Sequence, residues 1–210
     1  MFSNPIQVLY LFLALCLCIP VHEASHALVA FWLGDPTAKA HGRISLNPRR
    51  HLDFLGTILI FLVHFGWGIP TPINPRNLAH PRRDEALIAF AGPLSNLFLA
   101  FLLGTLLVYL PADLPLFVRY FFEYTLNLSL VLFLFNLLPF APLDGSKIIQ
   151  IFVPKRYRIQ YHAYLERGPV LLITLVILDR LLSLFFGFSL FGFLLTDALE
   201  YLRVLIGISS

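Results

Sequence analysis

The sequence predicts an all-α polytopic membrane protein, and composition, run length and charge placement support that prediction. Of the 210 residues, 58% are hydrophobic and only 13% are charged. Soluble domains carry about 25% charged and about 45–50% apolar residues, so a soluble fold of this length could not bury so much apolar surface. The apolar residues form long runs, with most of the basic residues between them. At about 100–200 residues per domain, the length predicts one membrane-embedded domain over residues 1–210.

Four apolar runs are long enough, or nearly so, to cross a membrane, which needs about 20 largely apolar residues. They are residues 6–33, 86–110, 118–140 and 169–186. The first is too long for a cleaved signal peptide and has no basic start, so we expect it to remain as a helix. A fifth run, 54–69, is short and rich in glycine, and a sixth, 188–208, is interrupted by Asp197, Glu200 and Arg203. The sequence therefore predicts about five to six membrane segments.

The placement of basic residues predicts which loops face the cytoplasm. Loops 34–52 and 70–85 and the chain after residue 140 hold most of the lysines and arginines, whereas the only charged residue in loop 111–117 is Asp113. We therefore expect the three basic regions on the cytoplasmic side. Because basic loops flank residues 54–69 at both ends, we expect this segment to enter and leave on the same side; a true span is the alternative.

The first run contains the pattern H-E-x-x-H, at His22, Glu23 and His26. Helix positions four apart share a face, with Cβ atoms about 5–6 Å apart, so both imidazoles can bind one metal ion. Glu23 is rotated by about 100° and can accept a proton from a metal-bound water, which zinc acidifies. At 1.5 Å per residue, the histidines lie about 12–18 Å from the end of the run at Gly34. The alternative is a histidine pair that lines a pore or joins helices by hydrogen bonds.

Catalytic zinc usually has three protein ligands and one open position, which calls for a further ligand. Asp144 is favoured because its preceding run ends on the cytoplasmic side, nearest the two histidines. Pro139 and Pro142 break the helix there, and Gly145 permits a tight turn. The competing interpretation is a carboxylate that caps the next helix. The other carboxylates in or beside the apolar runs are Glu123, Asp179, Asp197 and Glu200.

These motifs together resemble the site-2 protease family of intramembrane zinc metalloproteases. The resemblance rests on H-E-x-x-H in a first membrane helix and on N-x-x-P-x-x-P-L-D-G, from Asn136 to Gly145, at the end of a later one. Ala-Gly-Pro-Leu-Ser-Asn at residues 91–96 and the stretches 42–48 and 51–57 support it. Many relatives carry a PDZ or CBS domain, and these 210 residues show neither. Regulation through such domains therefore does not carry over.

The resemblance implies a role for each residue of the motifs. His22, His26 and Asp144 would bind one zinc ion per chain, Glu23 would activate the water, and Asn136 would polarise the scissile carbonyl or position the substrate. It also implies a three-helix catalytic core within residues 6–150, with accessory membrane helices over 169–208.

The family's substrates are transmembrane segments of other proteins. The expected partners are therefore membrane-protein substrates and bilayer lipid, with no nucleic acid, and the expected location is a bacterial inner membrane. We expect a short membrane-embedded β element near residues 39–47, against which an unwound substrate could pair. The alternatives are a membrane transporter or scaffold with a non-catalytic His/Asp site, and a di-iron membrane enzyme, which needs more histidine pairs.

Overall fold

The computed structural model describes residues 5–63, 66–111 and 114–207, which form eight α-helices. These are α1 (Pro5–Trp32), α2 (Thr37–Ala40), α3 (Phe54–Val63), α4 (Pro81–Tyr109), α5 (Leu116–Leu137), α6 (Asp144–Ile149), α7 (Arg158–Phe186) and α8 (Leu190–Leu205). Four segments are long and apolar enough to cross a membrane, namely α1, α4, α5 and the stretch Lys155–Phe186 that includes α7. The expected all-α polytopic fold is confirmed.

Helices α1, α4 and α5 pack against one another and form the centre of the molecule. Their contact surfaces are rich in small residues, and Ala14 and Ala30 on α1 and Ala100 on α4 are fully buried. In a bilayer, helices associate through close packing and hydrogen bonds, because lipid is as apolar as the side chains. The thiol of Cys18 lies 3.2 Å from the hydroxyl of Ser129 and links α1 to α5.

A buried carboxylate ties the end of α1 to the loop before α4. Asp35 accepts hydrogen bonds from the backbone N–H of Asn74 and the side chain of Asn77, both at 2.7 Å, and from the hydroxyl of Thr37. Burial raises the pKa of Asp35, but these hydrogen bonds outweigh it and hold the pKa below its ordinary value. The ionised side chain therefore fixes the loop that precedes α4 beside the end of α1.

The segment 54–69 returns to the place where it starts. Leu52 pairs with Gly68 in an isolated antiparallel bridge, and the N–H of Ile69 donates to the carbonyl of His51 at 2.7 Å. Helix α3 has 10 residues, so it is about 15 Å long, half of a hydrocarbon core about 30 Å thick. This geometry agrees with the expected re-entrant segment; residues 64 and 65 lie outside the described part.

The expected β element near residues 39–47 is wrong. Residues 37–40 form the short helix α2, and Gly42 then takes a positive φ of 66°. The N–H of Arg43 returns to the carbonyl of Ala38 at 2.9 Å, and that of Ser45 bonds to the carbonyl of Arg43. Alanine favours helix, and a left-handed glycine ends it, so the backbone donors here are used locally. This stretch therefore does not form the extended strand that was expected to pair with a substrate.

The first turns of α7 hold the loop between α5 and α6. The hydroxyl of Tyr164 accepts the N–H of Ala141 at 2.8 Å and donates to the carbonyl of Pro139 at 2.9 Å. Tyr161 donates from its hydroxyl to the carbonyl of Ser146. A Cβ on Gly168 would lie 2.6 Å from the Cβ of Ala141, so the helix passes close to this loop. Farther along, α7 exposes large apolar side chains, as a lipid-facing helix does.

Helix α8 packs along α5, and the rings of Phe191 on α8 and Phe135 on α5 have centroids 5.4 Å apart. Ile206, just beyond α8, packs with buried apolar side chains of α4 and α5, which are Ala100, Leu103, Leu126 and Leu130. With 16 residues, α8 is about 24 Å long and does not reach across a hydrocarbon core of about 30 Å.

Candidate metal centre

The two histidines of the H-E-x-x-H pattern lie side by side on one face of α1. Both are buried, with 7% of His22 and 6% of His26 exposed. Their ring centroids are 4.6 Å apart and the rings are nearly perpendicular, at 87°. Helix α4 covers them at Gly92, where a Cβ would lie 2.4 Å from the ring of His26 and 2.7 Å from that of His22. The glycine of the Ala-Gly-Pro stretch thus leaves room for both imidazoles.

Asp144 meets both histidines from the opposite side. One oxygen, Oδ2, lies 3.1 Å from Nε2 of His22 and 3.3 Å from Nε2 of His26. Ligand atoms 2.0–2.1 Å from a tetrahedral ion lie about 3.3–3.4 Å apart, so the distance from Oδ2 to each of the two nitrogens is close to what a shared zinc ion needs. Gly145 allows this approach, because a Cβ there would lie 2.3 Å from the carbonyl of Leu137 at the end of α5. Sequence reasoning from the proline-broken helix end predicted this turn.

The outer nitrogens of the two imidazoles have partners that orient the rings. Nδ1 of His26 donates to the carbonyl of Ile88 at 2.6 Å, which leaves the lone pair of Nε2 for a metal. Nδ1 of His22 lies 3.1 Å from Nδ2 of Asn96. The amide of Asn96 offers a donor and an acceptor, so it can hold His22 in either neutral tautomer. Outer partners of this kind are typical of metal-binding histidines.

Asn96 is therefore more than the packing residue that its place in an apolar run suggests. It is fully buried, and its Oδ1 has no hydrogen-bond partner among the described residues. A buried amide in a membrane helix is costly unless it is paired. The presence of an asparagine within an apolar run is therefore the sequence feature that could have indicated a contact with His22. The carbonyl of Ile88 left no comparable signal, because any residue type supplies a backbone carbonyl.

Glu23 lies beside the histidine pair and is held by a different segment. Its Oε2 accepts the backbone N–H of Thr71 at 2.9 Å and the hydroxyl of Thr71 at 2.7 Å. Three possible ligand atoms, one from each of His22, Glu23 and His26, lie within 4.8 Å of one another, so Glu23 could also complete a metal site. The geometry favours Asp144, whose single oxygen contacts both Nε2 atoms.

A cavity of about 140 Å³ adjoins these side chains. Asn136 lines it, as expected for a residue that meets substrate, although its Nδ2 donates to the carbonyl of Leu132 on its own helix at 3.0 Å. Lys147 also lines it, and sequence reasoning gave this residue no role. The other lining residues are His22, Glu23, His26, Pro70, Thr71, Ile73, Ala89, Pro142 and Asp144. The cavity therefore offers polar groups of both charges beside the candidate metal ligands.

The other carboxylates considered as ligands have different partners or positions. Glu123 pairs with Arg119 at 3.6 Å on α5. Asp179 accepts hydrogen bonds from the hydroxyl of Ser189 and the N–H of Phe191 at the start of α8. Asp197 and Glu200 lie on α8 itself. Of the five carboxylates, Asp144 is the one that contacts both histidines.

The chain is similar to curated proteins of two bacteria. It is 46% identical over 156 residues to a Bacillus subtilis protein named "Putative zinc metalloprotease YwhC". That alignment covers 71% of each of the two chains. It is 33% and 31% identical over 140 residues to proteins named "Putative zinc metalloprotease Rip2" from two strains of Mycobacterium tuberculosis. Those alignments cover 64% of this chain and 52% of each mycobacterial protein. No protein-family model and no solved structure matches the chain.

Proposed function

Because the chain belongs to the site-2 protease family of zinc metalloproteases, we propose that it is a zinc-dependent endopeptidase acting inside the membrane. Its substrates are the transmembrane segments of other membrane proteins, and it cleaves peptide bonds within or near those segments. The proposal places it in the inner membrane of a bacterium, with bilayer lipid around its exposed apolar helices.

The observation that carries this proposal is the meeting of Asp144 with His22 and His26. Asp144 is far from the two histidines in the sequence, yet one of its carboxylate oxygens lies within 3.3 Å of an Nε2 atom of each histidine. A second carboxylate, on Glu23, lines the same cavity. Two neutral imidazoles and one carboxylate form a ligand set typical of catalytic zinc.

Each residue has a separate task in peptide hydrolysis. His22, His26 and Asp144 hold the ion, and the ion supplies a Lewis acid that activates water and polarises a carbonyl group. Glu23 accepts the proton of the attacking water and returns it to the leaving nitrogen. Asn136 and Lys147 line the cavity, where their polar groups can meet the peptide backbone of a substrate.

The deciding experiment combines metal analysis with cleavage of a model transmembrane substrate by purified protein. We expect about one zinc per chain in the wild type. Glu23→Gln should keep the zinc but lose about 10²–10⁴-fold in cleavage rate, because it removes the general base. Asp144→Ala should lower the zinc content, because it removes a ligand.

Glu123→Gln is the matched control, since it alters a half-exposed glutamate on α5 that pairs with Arg119. It should retain both zinc and activity. Full cleavage activity in the Glu23→Gln variant would refute the proposed protease mechanism. The transporter and scaffold alternatives predict that removal of the metal leaves the function intact.

A further inference from the structure

A short extended segment passes beside the catalytic carboxylate. We call residues 69–74 the strap; it connects the re-entrant segment to the loop before α4. Its middle reads Pro70-Thr71-Pro72, and Pro70, Thr71 and Ile73 line the cavity that holds the candidate metal ligands. The strap therefore forms one wall of the site without belonging to any of the three central helices.

The strap is fixed at both ends by hydrogen bonds. At its start, the N–H of Ile69 donates to the carbonyl of His51, and the guanidinium of Arg43 donates to the carbonyl of Ile69. At its end, the N–H of Asn74 donates to Asp35 at 2.7 Å. With both ends held, the position of the middle residue is set by the surrounding fold.

The two prolines restrict the middle of the strap further. Proline has no N–H, so Thr71 supplies the only backbone donor between Ile69 and Ile73. A following proline also keeps the preceding residue extended, which limits Thr71 to one region of backbone conformation. The segment is thus built to present one N–H and one hydroxyl at a fixed place.

Both of these donors point at Glu23. The N–H of Thr71 lies 2.9 Å and its hydroxyl 2.7 Å from the same oxygen, Oε2. The hydroxyl also lies 3.0 Å from the backbone carbonyl of Glu23. Arg43 approaches Oε2 to 3.9 Å, and burial lowers the pKa of this guanidinium while the carboxylate partly offsets the effect. Among the described residues, the other oxygen, Oε1, has no hydrogen-bond partner.

We propose that Thr71 is a positioning residue for the general base: it anchors Oε2 of Glu23 so that Oε1 stays free for proton transfer. This inference rests on the proposed function. An unanchored glutamate has three side-chain torsions to restrict, whereas two hydrogen bonds to one oxygen select a single orientation. The strap thereby contributes to catalysis through Glu23.

The kinetic test uses variants that differ in one hydroxyl. Thr71→Val keeps the backbone N–H and the shape but removes the hydroxyl, and we expect kcat to fall about 10–100-fold. KM and zinc content should stay unchanged, because this hydroxyl is already engaged by Glu23. Thr71→Ser restores the hydroxyl and should restore kcat. Thr105→Val is the control, since that exposed hydroxyl bonds only to the carbonyl of Phe101 on its own helix.

A second measurement does not depend on activity. In protein freed of metal by a chelator, Thr71→Val should lower the midpoint of thermal unfolding by about 2–4 °C, as expected for a lost hydrogen bond to a carboxylate. In a Glu23→Ala background the same substitution should lower it less, because Oε2 is gone and only the backbone carbonyl of residue 23, at 3.0 Å, can still accept from the hydroxyl.

Equal shifts of the midpoint in the two backgrounds would overturn the inference, and so would a Thr71→Val enzyme with the kcat of the Thr105→Val control. A Thr71→Val protein that does not fold in either background also counts against it, because that loss is independent of Glu23. If the wild type cleaves no substrate, the proposed function fails, and the unfolding midpoints still decide whether Thr71 holds Glu23.

Discussion

The candidate metal ligands of this protein are held by residues that do not themselves reach the metal position. Asn96 contacts His22, the carbonyl of Ile88 contacts His26, and Thr71 contacts Glu23. A histidine whose outer nitrogen is paired keeps one ring orientation and one tautomer, so less entropy is lost when its inner nitrogen binds zinc.

Replacement of Asn96 tests this support. Asn96→Leu keeps the branched shape of the side chain but removes the contact with Nδ1 of His22, so we expect zinc affinity to fall about 10–100-fold. Competition with a chelator of known affinity measures the change. Ser95→Ala is the control, because the hydroxyl of Ser95 bonds mainly to the carbonyl of Gly92 on its own helix, at 2.7 Å. Equal zinc affinities in the two variants would show that Asn96 only packs.

The candidate site residues could be picked out from the sequence because their signals are local. His22, Glu23 and His26 fall within one helical turn and a half, and Asp144 follows two prolines and precedes a glycine. Thr71 could not be predicted, since its role depends on where the re-entrant segment returns to the bundle. Gly92 was recognised only as part of a motif, and its close approach to both imidazoles required the packing of α4 on α1.

Among the elements, hydropathy predicted the long helices well and short irregular segments poorly. The run 6–33 corresponds to α1 and the run 86–110 to most of α4, because some 20 apolar residues in a bilayer have few alternatives to a helix. Residues 39–47 are mostly polar and lie outside the long runs, so no such restriction applies. Their conformation is set by Gly42 and by hydrogen bonds from Arg43, which links three stretches of backbone.

Helix α7 supports the loop that leads to Asp144. Tyr164 joins α7 to the loop before Asp144 by accepting from Ala141 and donating to Pro139. Tyr164→Phe leaves both backbone groups without this partner, so we expect the loop to hold Asp144 less firmly and zinc affinity to fall several-fold.

Zinc titration of the Tyr164→Phe variant measures that change. Tyr201→Phe is the matched control, because that side chain is 69% exposed on α8. If both variants bind zinc as the wild type does, α7 contributes nothing to the position of Asp144.

For the whole molecule, the basic loops and the metal ligands lie at the same side of the helix bundle. The end of α1, the start of α4 and the end of α5 meet there, as the contacts of Asp35 and Asp144 show. The re-entrant segment begins and ends there too, since Leu52 pairs with Gly68. The positive-inside rule predicts that this side faces the cytoplasm.

Cysteine labelling tests this orientation in cells. In a background with Cys16 and Cys18 replaced by alanine, a cysteine at Pro75 should react with a membrane-impermeant maleimide only after the cells are opened. A cysteine at Pro111, between α4 and α5, should react in intact cells. The reverse pattern would contradict this orientation and would mean either an inverted bundle or a true span at 54–69. Labelling of both positions from outside would mean that α4 does not cross the membrane.

The separation of the ligands along the chain has a consequence for biosynthesis. His22 and Asp144 are 122 residues apart, and ribosomes add about 5–20 residues per second. The histidines are therefore made roughly 6–24 s before their carboxylate partner emerges. During that interval the nascent chain lacks a complete set of candidate ligands. If the chain is the protease proposed above, its activity arises only once three of the long helices have been made.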